Sequence, residues 1–475
     1  MDLSKTPEFE HEKSLPKGIL TLPDVLISGL ANMGPAMSLF FSAAFLVATV
    51  GQAVPFVVVV TLFAILTLGN TLAEFSKKIP SSGSFVTFVG RTFGARFATA
   101  SSITLVVGYI AAISGVIAVL GGWIATLVQR YSGDNVSWII IMVIGAVLIT
   151  FLTIRGVKVS SRWAVVLLFF EALILLVLSF VILAKGGKSG LSLTPFNPLA
   201  ALGGWNSIAL SFPLVVFIFV GWENSGALAE ETTNPTKNVP RAVFLGIVII
   251  AILYVITTYA MTVGYGTSPA DLKAFANDSG PFDTLGKMYL GNGRILVDLA
   301  GLTSIFATIV AAANSQARIL FNAGREGLVP KVFGKVSSKN KTPYMALLTY
   351  MGVATVLAII FGYKIGPYEY FGYATTLGTI PLIIMYGLAN IALPVYFRRH
   401  HRNEFKVWRH LIVPVVGVLV LIFPFWALVQ PGQAFPYNWF PWLVLALILG
   451  SVVWTLILSA KDRTLADRVL EAFKE

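Results

Sequence analysis

The sequence predicts an all-α integral membrane protein of twelve transmembrane helices. They form a 5+5 inverted repeat in which helices 1 and 6 are discontinuous, followed by two extra helices. Three observations predict this. The 475 residues are 56% hydrophobic and only 12% charged, with a mean hydropathy of +0.81, a balance foreign to soluble domains. Twelve apolar stretches reach roughly 18 residues, enough to cross a bilayer. Two of them, the first and the sixth, are interrupted internally.

In chain order, residues 1–23 are polar and mixed in charge, with no basic-then-apolar leader, so the first span is expected to act as its own insertion signal. Span 1 (24–50) is broken at Asn32-Met33-Gly34-Pro35. Pro35 lacks an N–H and disfavours helical geometry at Gly34, yet suits the first turn of a new helix. One half-helix should therefore end near Ala31 and another begin near Pro35. Span 2 covers 53–74. Span 3 (95–128) is long enough to imply tilt. Span 4 covers 138–154, and span 5 (160–184) carries Glu171 at its middle among leucines and phenylalanines. Span 6 (204–231) is broken at Val220-Gly221-Trp222-Glu223-Asn224, beside Phe212, Phe217 and Phe219. Spans 7 (241–266), 8 (294–323, again long), 9 (344–362) and 10 (369–397) complete a second set of five. Spans 11 (411–429) and 12 (438–460) fall outside the repeat. Beyond them Leu465, Val469, Leu470 and Phe473 recur at helical spacing, which predicts a short interfacial helix over 461–475.

Repeat one, about 24–184, and repeat two, about 204–397, hold five spans each. An odd number inverts one repeat relative to the other, and spans 1 and 6 then correspond. Together with the extra helices (about 411–460) they make one transmembrane domain, 1–475. Paired interruptions at matching places mark the substrate site of inverted-repeat transporters.

Charge sets the orientation. With the N-terminus on the cytoplasmic side, 27 of the 34 lysines and arginines fall in the tails and cytoplasmic loops and 7 on the opposite face. This bias is the positive-inside rule. It places both termini in the cytoplasm of a multi-pass cell-membrane protein and accounts for the net charge of +12 without nucleic acid. The chain has no cysteine, and its four histidines (His11, His400, His401, His410) lie in tails or cytoplasmic loops. Disulfides, thiol chemistry and an intramembrane histidine relay are thereby excluded. No phosphate-cradling Gly-Lys-Ser/Thr loop, metal-ligand cluster or nucleophile–base cluster is present, so neither a cofactor, a metal nor an enzymatic activity is expected.

The breaks carry their own chemistry. Backbone leaves a helix at membrane depth only where it lines a protein cavity. The start of the second half-helix of span 1 directs N–H groups and a positive dipole end at its break, which suits a carboxylate. The end of the first half-helix of span 6 offers carbonyls and a negative dipole end, which suits an ammonium. A site offering both fits a zwitterion such as an α-amino acid. Intramembrane acids are functional hypotheses by default. Glu171, costly to ionise in apolar surroundings, is read as a proton-coupling group or as a permanently neutral acid hydrogen-bonded to a backbone carbonyl of the span-1 break. Glu223 is read as a contact to substrate or proton, as a support for the unwound backbone, or as a partner of Asn224 or a span-10 group. Thr303, Ser304 and Thr308 on span 8 offer hydroxyls to a cation, or bond back to their own helix. Glu230, Glu231, Lys237 and Arg241 form either gating ion pairs or a solvated rim, and Asp298 and Glu369 near helix ends are expected to be solvated.

Several stretches, in the same order along almost the whole chain, resemble the amino acid–polyamine–organocation (APC) superfamily of bacterial-type permeases. They are AEFSKKIPSSGSFVTFVGRTFG (73–94), FIFVGWENSGALAEETTNPTKNVPRAV (217–243), and ANSQARILFNAGREGLVP (313–330) with PYMAL (343–347). The resemblance implies alternating access and uptake or exchange of amino acids or amines without a cofactor, by a monomer or homodimer. By position, the family's substrate-backbone site falls on Asn32, Met33, Gly34, Pro35 and Ala36, and on Phe217 to Gly221, including Val220. Its aromatic gate falls on Phe217, and an acid two residues past the glycine on Glu223. A span-5 lysine that replaces bound sodium in several members falls on Glu171, so that mechanism does not carry over. An acid there is suited to titrate or to hold a cation. The usual Gly-Ser-Gly or Gly-Ala-Gly run is here Met33-Gly34-Pro35-Ala36, one N–H poorer. The expected function is secondary transport of an amino acid by proton-coupled symport or exchange. A polyamine or other organic-amine carrier, and sodium-coupled symport, stay open as alternatives.

Overall fold

The computed structural model describes residues 15–188 and 190–461. The interfacial helix expected over 461–475 lies outside them but for its first residue. Ten described stretches are long and apolar enough to cross a membrane. The first, Leu22–Ser76, contains α1 (Leu22–Met33), α2 (Pro35–Val50) and α3 (Val54–Ser76). Next come the amphipathic α4 (Phe85–Phe93), α5 (Ala95–Ser132), the 17-residue α6 (Trp138–Ile154) and α7 (Val157–Ala184). The second half opens with α8 (Gly204–Phe219) and the single turn α9 (Asn224–Ala227), followed by α10 (Pro235–Tyr265). Two short helices, α11 (Pro269–Ala276) and α12 (Pro281–Leu290), precede α13 (Arg294–Arg325). The chain ends with α14 (Tyr344–Ile365), α15 (Pro367–His400), α16 (Val413–Val429) and α17 (Phe440–Lys461).

Local chemistry sets the boundaries. Thr21 and Asp24 close a capping box at the start of α1, with Thr21 N–H donating to Asp24 at 2.8 Å. Proline opens α2, α10, α11, α12 and α15, where its missing N–H is harmless. Glycine ends α2, α4, α5, α10 and α14. The amphipathic α4 and the paired α11 and α12 were not among the expected spans, being too short to register as crossings.

Within a bilayer, helices gain little from hydrophobic burial against one another, so close approach by small residues carries the packing. Gly108, Ala112 and Gly115 on α5 meet Ala374 and Gly378 on α15. A Cβ on Gly378 would lie 2.6 Å from the Gly108 carbonyl, and one on Gly115 would lie 3.1 Å from the Ala374 methyl. That contact fixes the α5 face that reaches the centre of the bundle.

Both expected interruptions are present and they touch. The first is tighter than expected: α1 stays helical through Met33, and Gly34 alone, left-handed at φ 55° and ψ 68°, makes the turn into Pro35. One glycine suffices because its missing Cβ, which would sit 2.2 Å from Thr308 Oγ1, lets α13 press against the turn. The second runs from Val220 to Glu223 and turns on Gly221 at φ 119°. A Cβ there would meet the Asn32 carbonyl carbon and Met33 nitrogen at 2.8 Å.

Gly221→Ala should therefore combine backbone strain of about 1–3 kcal/mol with a clash against another backbone, and lower the melting temperature of the detergent-solubilised protein clearly. Gly352→Ala, on α14 with nothing within 4 Å of its added Cβ, should leave it unchanged.

Candidate functional site

The breaks leave backbone groups that their own helices cannot satisfy, and side chains from three other helices take them. Ala36 N–H donates to Glu171 Oε2 of α7 at 3.0 Å, and Met37 N–H donates to Ser304 Oγ of α13 at 2.9 Å. Ser38 N–H returns to Gly34 O at 2.7 Å. Thr308 donates to Ala31 O at 3.2 Å. Met33 O accepts from Ser38 Oγ at 2.6 Å and from the Tyr254 hydroxyl of α10 at 3.4 Å. The same hydroxyl donates to Ile218 O at 2.8 Å and so ties the ends of α1 and α8 together. The N–H groups expected to stand free at the start of α2 are thus engaged by protein side chains, and Pro35 has none to offer.

At the second break Gly221 N–H donates to Glu223 Oε2 at 2.9 Å, and the Tyr109 hydroxyl donates to Oε1 at 2.9 Å. Glu223 thus bonds both the unwound backbone and α5. The Val220 carbonyl accepts no hydrogen bond among the described residues. Thr303 bonds back to Ala300 O at 3.1 Å and stands apart from the break.

Between the breaks lies a small cavity of about 40 Å³. Of the expected residues, Asn32, Met33, Phe217, Val220 and Thr308 line it. Gly34, Pro35, Ala36 and Gly221 shape the backbone behind it. Met37 and Ser38 of α2, Tyr109, Ala112, Ile113 and Val116 of α5, and Ala312 and Gln316 of α13 complete the wall. Nothing in the sequence alone told which faces of spans 3 and 8 turn inward. The lining carries no charged side chain. Glu171 and Glu223, both buried, sit one layer behind it, and Glu171 Oε1 has no hydrogen-bond partner among the described residues.

Aromatic and ionic layers bracket the cavity. On one side Phe217 meets Phe371 edge-on at 6.0 Å, and Phe41 packs on Trp123 and Phe371. On the other, Trp222 lies between Phe85 at 6.1 Å and Tyr386 at 5.6 Å. Beyond Trp222 the mouth is closed. Glu231 pairs with Arg318, both only 1% exposed, and Ile19 and Leu20 donate N–H groups to the Glu231 carbonyl. Glu230 accepts both arms of Arg325, at 2.7 and 2.9 Å, and the N–H and hydroxyl of Ser82. Burial works against its charge, but Arg325 and Ser82 outweigh it and hold the carboxyl below the usual range. The ion-pair reading of Glu230 and Glu231 therefore describes the structure, with Arg318 and Arg325 as partners in place of Lys237 and Arg241. At the opposite end Asp298 is 1% exposed, not solvated as expected, because Arg130 and the Tyr131 hydroxyl both reach it at 2.7 Å. Glu369 is exposed and accepts from Tyr373.

An apolar helical bundle with an uncharged cavity between two broken helices is the architecture of a multi-pass membrane transporter. The chain belongs to the amino acid permease family, whose model matches residues 25–453. It is 26% identical over 467 residues to the branched-chain amino acid permease BcaP of Bacillus subtilis (strain 168), covering 92% of this chain and 93% of that one. It is 27% identical over 366 residues to the methylthioribose transporter of the same organism (73% and 74%), and 24% identical over 425 residues to the low-affinity putrescine importer PlaP of Escherichia coli (strain K12; 85% and 86%).

Just past α13, burial pushes the Glu326 carboxyl up to about 7, partly offset by the Asn322 amide at 2.7 Å. A carboxyl whose folded value exceeds its unfolded one stabilises the fold at low pH and loses that contribution as pH rises toward 7. Thermal stability should therefore fall across pH 4.5 to 7, and Glu326→Gln should flatten that part of the profile, read from melting curves at each pH.

Proposed function

We propose that the chain is a proton-coupled secondary transporter that carries amino acids with apolar side chains across the cytoplasmic membrane by alternating access. The observation that carries this is the cavity itself: uncharged, walled by methionine, isoleucine, valine and phenylalanine, and placed where the two breaks meet. Asn32, Phe217, Val220 and the adjoining backbone are assigned to substrate, with Phe217 as the gate through its contact with Phe371. The twelve-crossing, 5+5 reading is supported by counting Leu22–Ser76 as two crossings and adding α6 to the other nine stretches. The skew of 27 of 34 basic residues supports cytoplasmic termini.

Coupling is assigned to Glu171. Its carboxyl already occupies the positive end of α2, the end a substrate carboxylate would seek. Two like charges ~5 Å apart at an effective dielectric of ~20 repel by about 3 kcal/mol, so a carboxylate substrate binds best when Glu171 holds a proton. Substrate and proton then bind together, the condition for symport. Sodium coupling stays the alternative: Thr303 and Thr308 donate their protons to carbonyls and keep oxygen lone pairs suited to a cation. One observation favours a second reading. With every N–H at the start of α2 engaged, a substrate without a carboxylate, an organic amine or a neutral solute, needs nothing from that helix end.

In proteoliposomes, uptake of radiolabelled leucine, isoleucine or valine should be driven by an inward proton gradient. Glu171→Gln should abolish that acceleration while sparing exchange between preloaded and external substrate. Proton dependence that survives the substitution unaltered contradicts the role of Glu171. Uptake of amines or neutral solutes in place of every amino acid favours the second reading.

A further inference from the structure

A second cleft lies far from the cavity, where α3, α10 and the turn before α16 converge. Its volume is about 570 Å³ and it opens outward. Lys77, Arg241 and Arg409 stand around a single acid, Glu74. Lys77 binds Glu74 at 2.6 Å and Arg409 approaches it at 3.8 Å. Arg241 is exposed and has no carboxylate within 4 Å among the described residues. His410 adds no charge: its Nδ1 accepts the Lys406 N–H at 3.0 Å and is therefore unprotonated, leaving Nε2–H to donate to Glu74 at 3.2 Å. Three cations face one anion, so the cleft carries an excess of two positive charges.

The walls change character along the helices. On α10, Phe244, Leu245, Val248, Ile249 and Ile252 are 37–56% exposed and form one stripe leading away from Arg241. From the turn before α16, Ile412, Val415, Val416, Leu419 and Phe423, 40–62% exposed, lead away from Arg409 in the same way. Between them α3 packs against both helices. A cationic socket at the end of a bundle, continued by two apolar tracks, matches a phosphate-bearing headgroup with two acyl chains. Guanidinium groups favour phosphate oxygens, and basic pockets between membrane helices are suited to anionic lipid headgroups.

We infer that this cleft is a binding site for an anionic diacyl phospholipid, seated with its phosphate among Lys77, Arg241 and Arg409 and its chains along α10 and α16. A zwitterionic lipid brings no net charge to offset the excess and binds more weakly. The site is independent of what the central cavity carries, so failure of either assignment leaves the other standing.

The test places the full-length protein in nanodiscs containing equal phosphatidylglycerol and phosphatidylcholine, then measures the lipid retained after transfer to detergent by native mass spectrometry. Wild type should retain phosphatidylglycerol about tenfold over phosphatidylcholine, and the double variant Arg241→Gln, Arg409→Gln should lose most of that preference. Lys335→Gln with Lys339→Gln, which removes the same charge from an exposed loop, should keep it. Equal retention of the two lipids by wild type, or an unchanged preference in the Arg241 and Arg409 variant, overturns the site. Full displacement by glycerol 3-phosphate also overturns it, showing a free phosphate-ester pocket without a lipid's chains.

Discussion

Two backbone breaks inside an apolar bundle need their exposed N–H and carbonyl groups met by protein or, as at the Val220 carbonyl, by what enters the cavity, since hydrocarbon offers no partner. Each unmet group costs roughly 1–3 kcal/mol. Glu171 and Ser304 take the N–H groups that begin α2. Thr308 and Tyr254 take carbonyls that end α1, Tyr254 also serves the end of α8, and Glu223 takes the N–H of Gly221. Apart from Glu223, these partners come from α7, α10 and α13, so the centre of the bundle is cross-tied to helices distant in sequence. The direct backbone contact at Gly221 depends on those ties.

The same arrangement separates charge from the cavity. Glu171 and Glu223 lie behind the lining: Glu171 gives one oxygen to the Ala36 N–H, and Glu223 gives its two to the Gly221 N–H and the Tyr109 hydroxyl. The cavity surface keeps polar but neutral groups such as Asn32, Tyr109 and Gln316 among apolar ones. The layers on the two sides of the cavity differ in chemistry. Phe217, Phe371, Phe41 and Trp123 form one closure; the Glu231–Arg318 and Glu230–Arg325 pairs, with the segment at Ile19 and Leu20, form the other beyond Trp222. In the proposed cycle the ion pairs exchange for water when that mouth opens, whereas the aromatic layer needs only ring and helix displacements.

Span positions and both breaks were legible in the sequence because they depend on runs of apolar residues and on Gly and Pro, which act locally. Rotation about a helix axis is not local. Tyr109 and Tyr254 look like ordinary aromatics in apolar runs, and their roles appear only once α5 and α10 are packed. The first break was expected to be wider because Pro35 disfavours helix at the residue before it. Gly34 absorbs that constraint alone, and Met33 remains helical. Asp298 was expected to be solvated from its nearness to a helix end, whereas Arg130 on a different helix buries it. The short helices α4, α11 and α12 fall below the length that marks a crossing.

The central claim is that Glu171 takes up a proton when substrate binds beside the positive end of α2. Infrared difference spectroscopy on the reconstituted protein, with and without leucine at neutral pH, reads this directly. The account predicts that substrate induces a protonated-carboxyl band which shifts in D₂O and is missing in Glu171→Gln. Leucine binding with no such band, or with a band of equal size in Glu171→Gln, contradicts it.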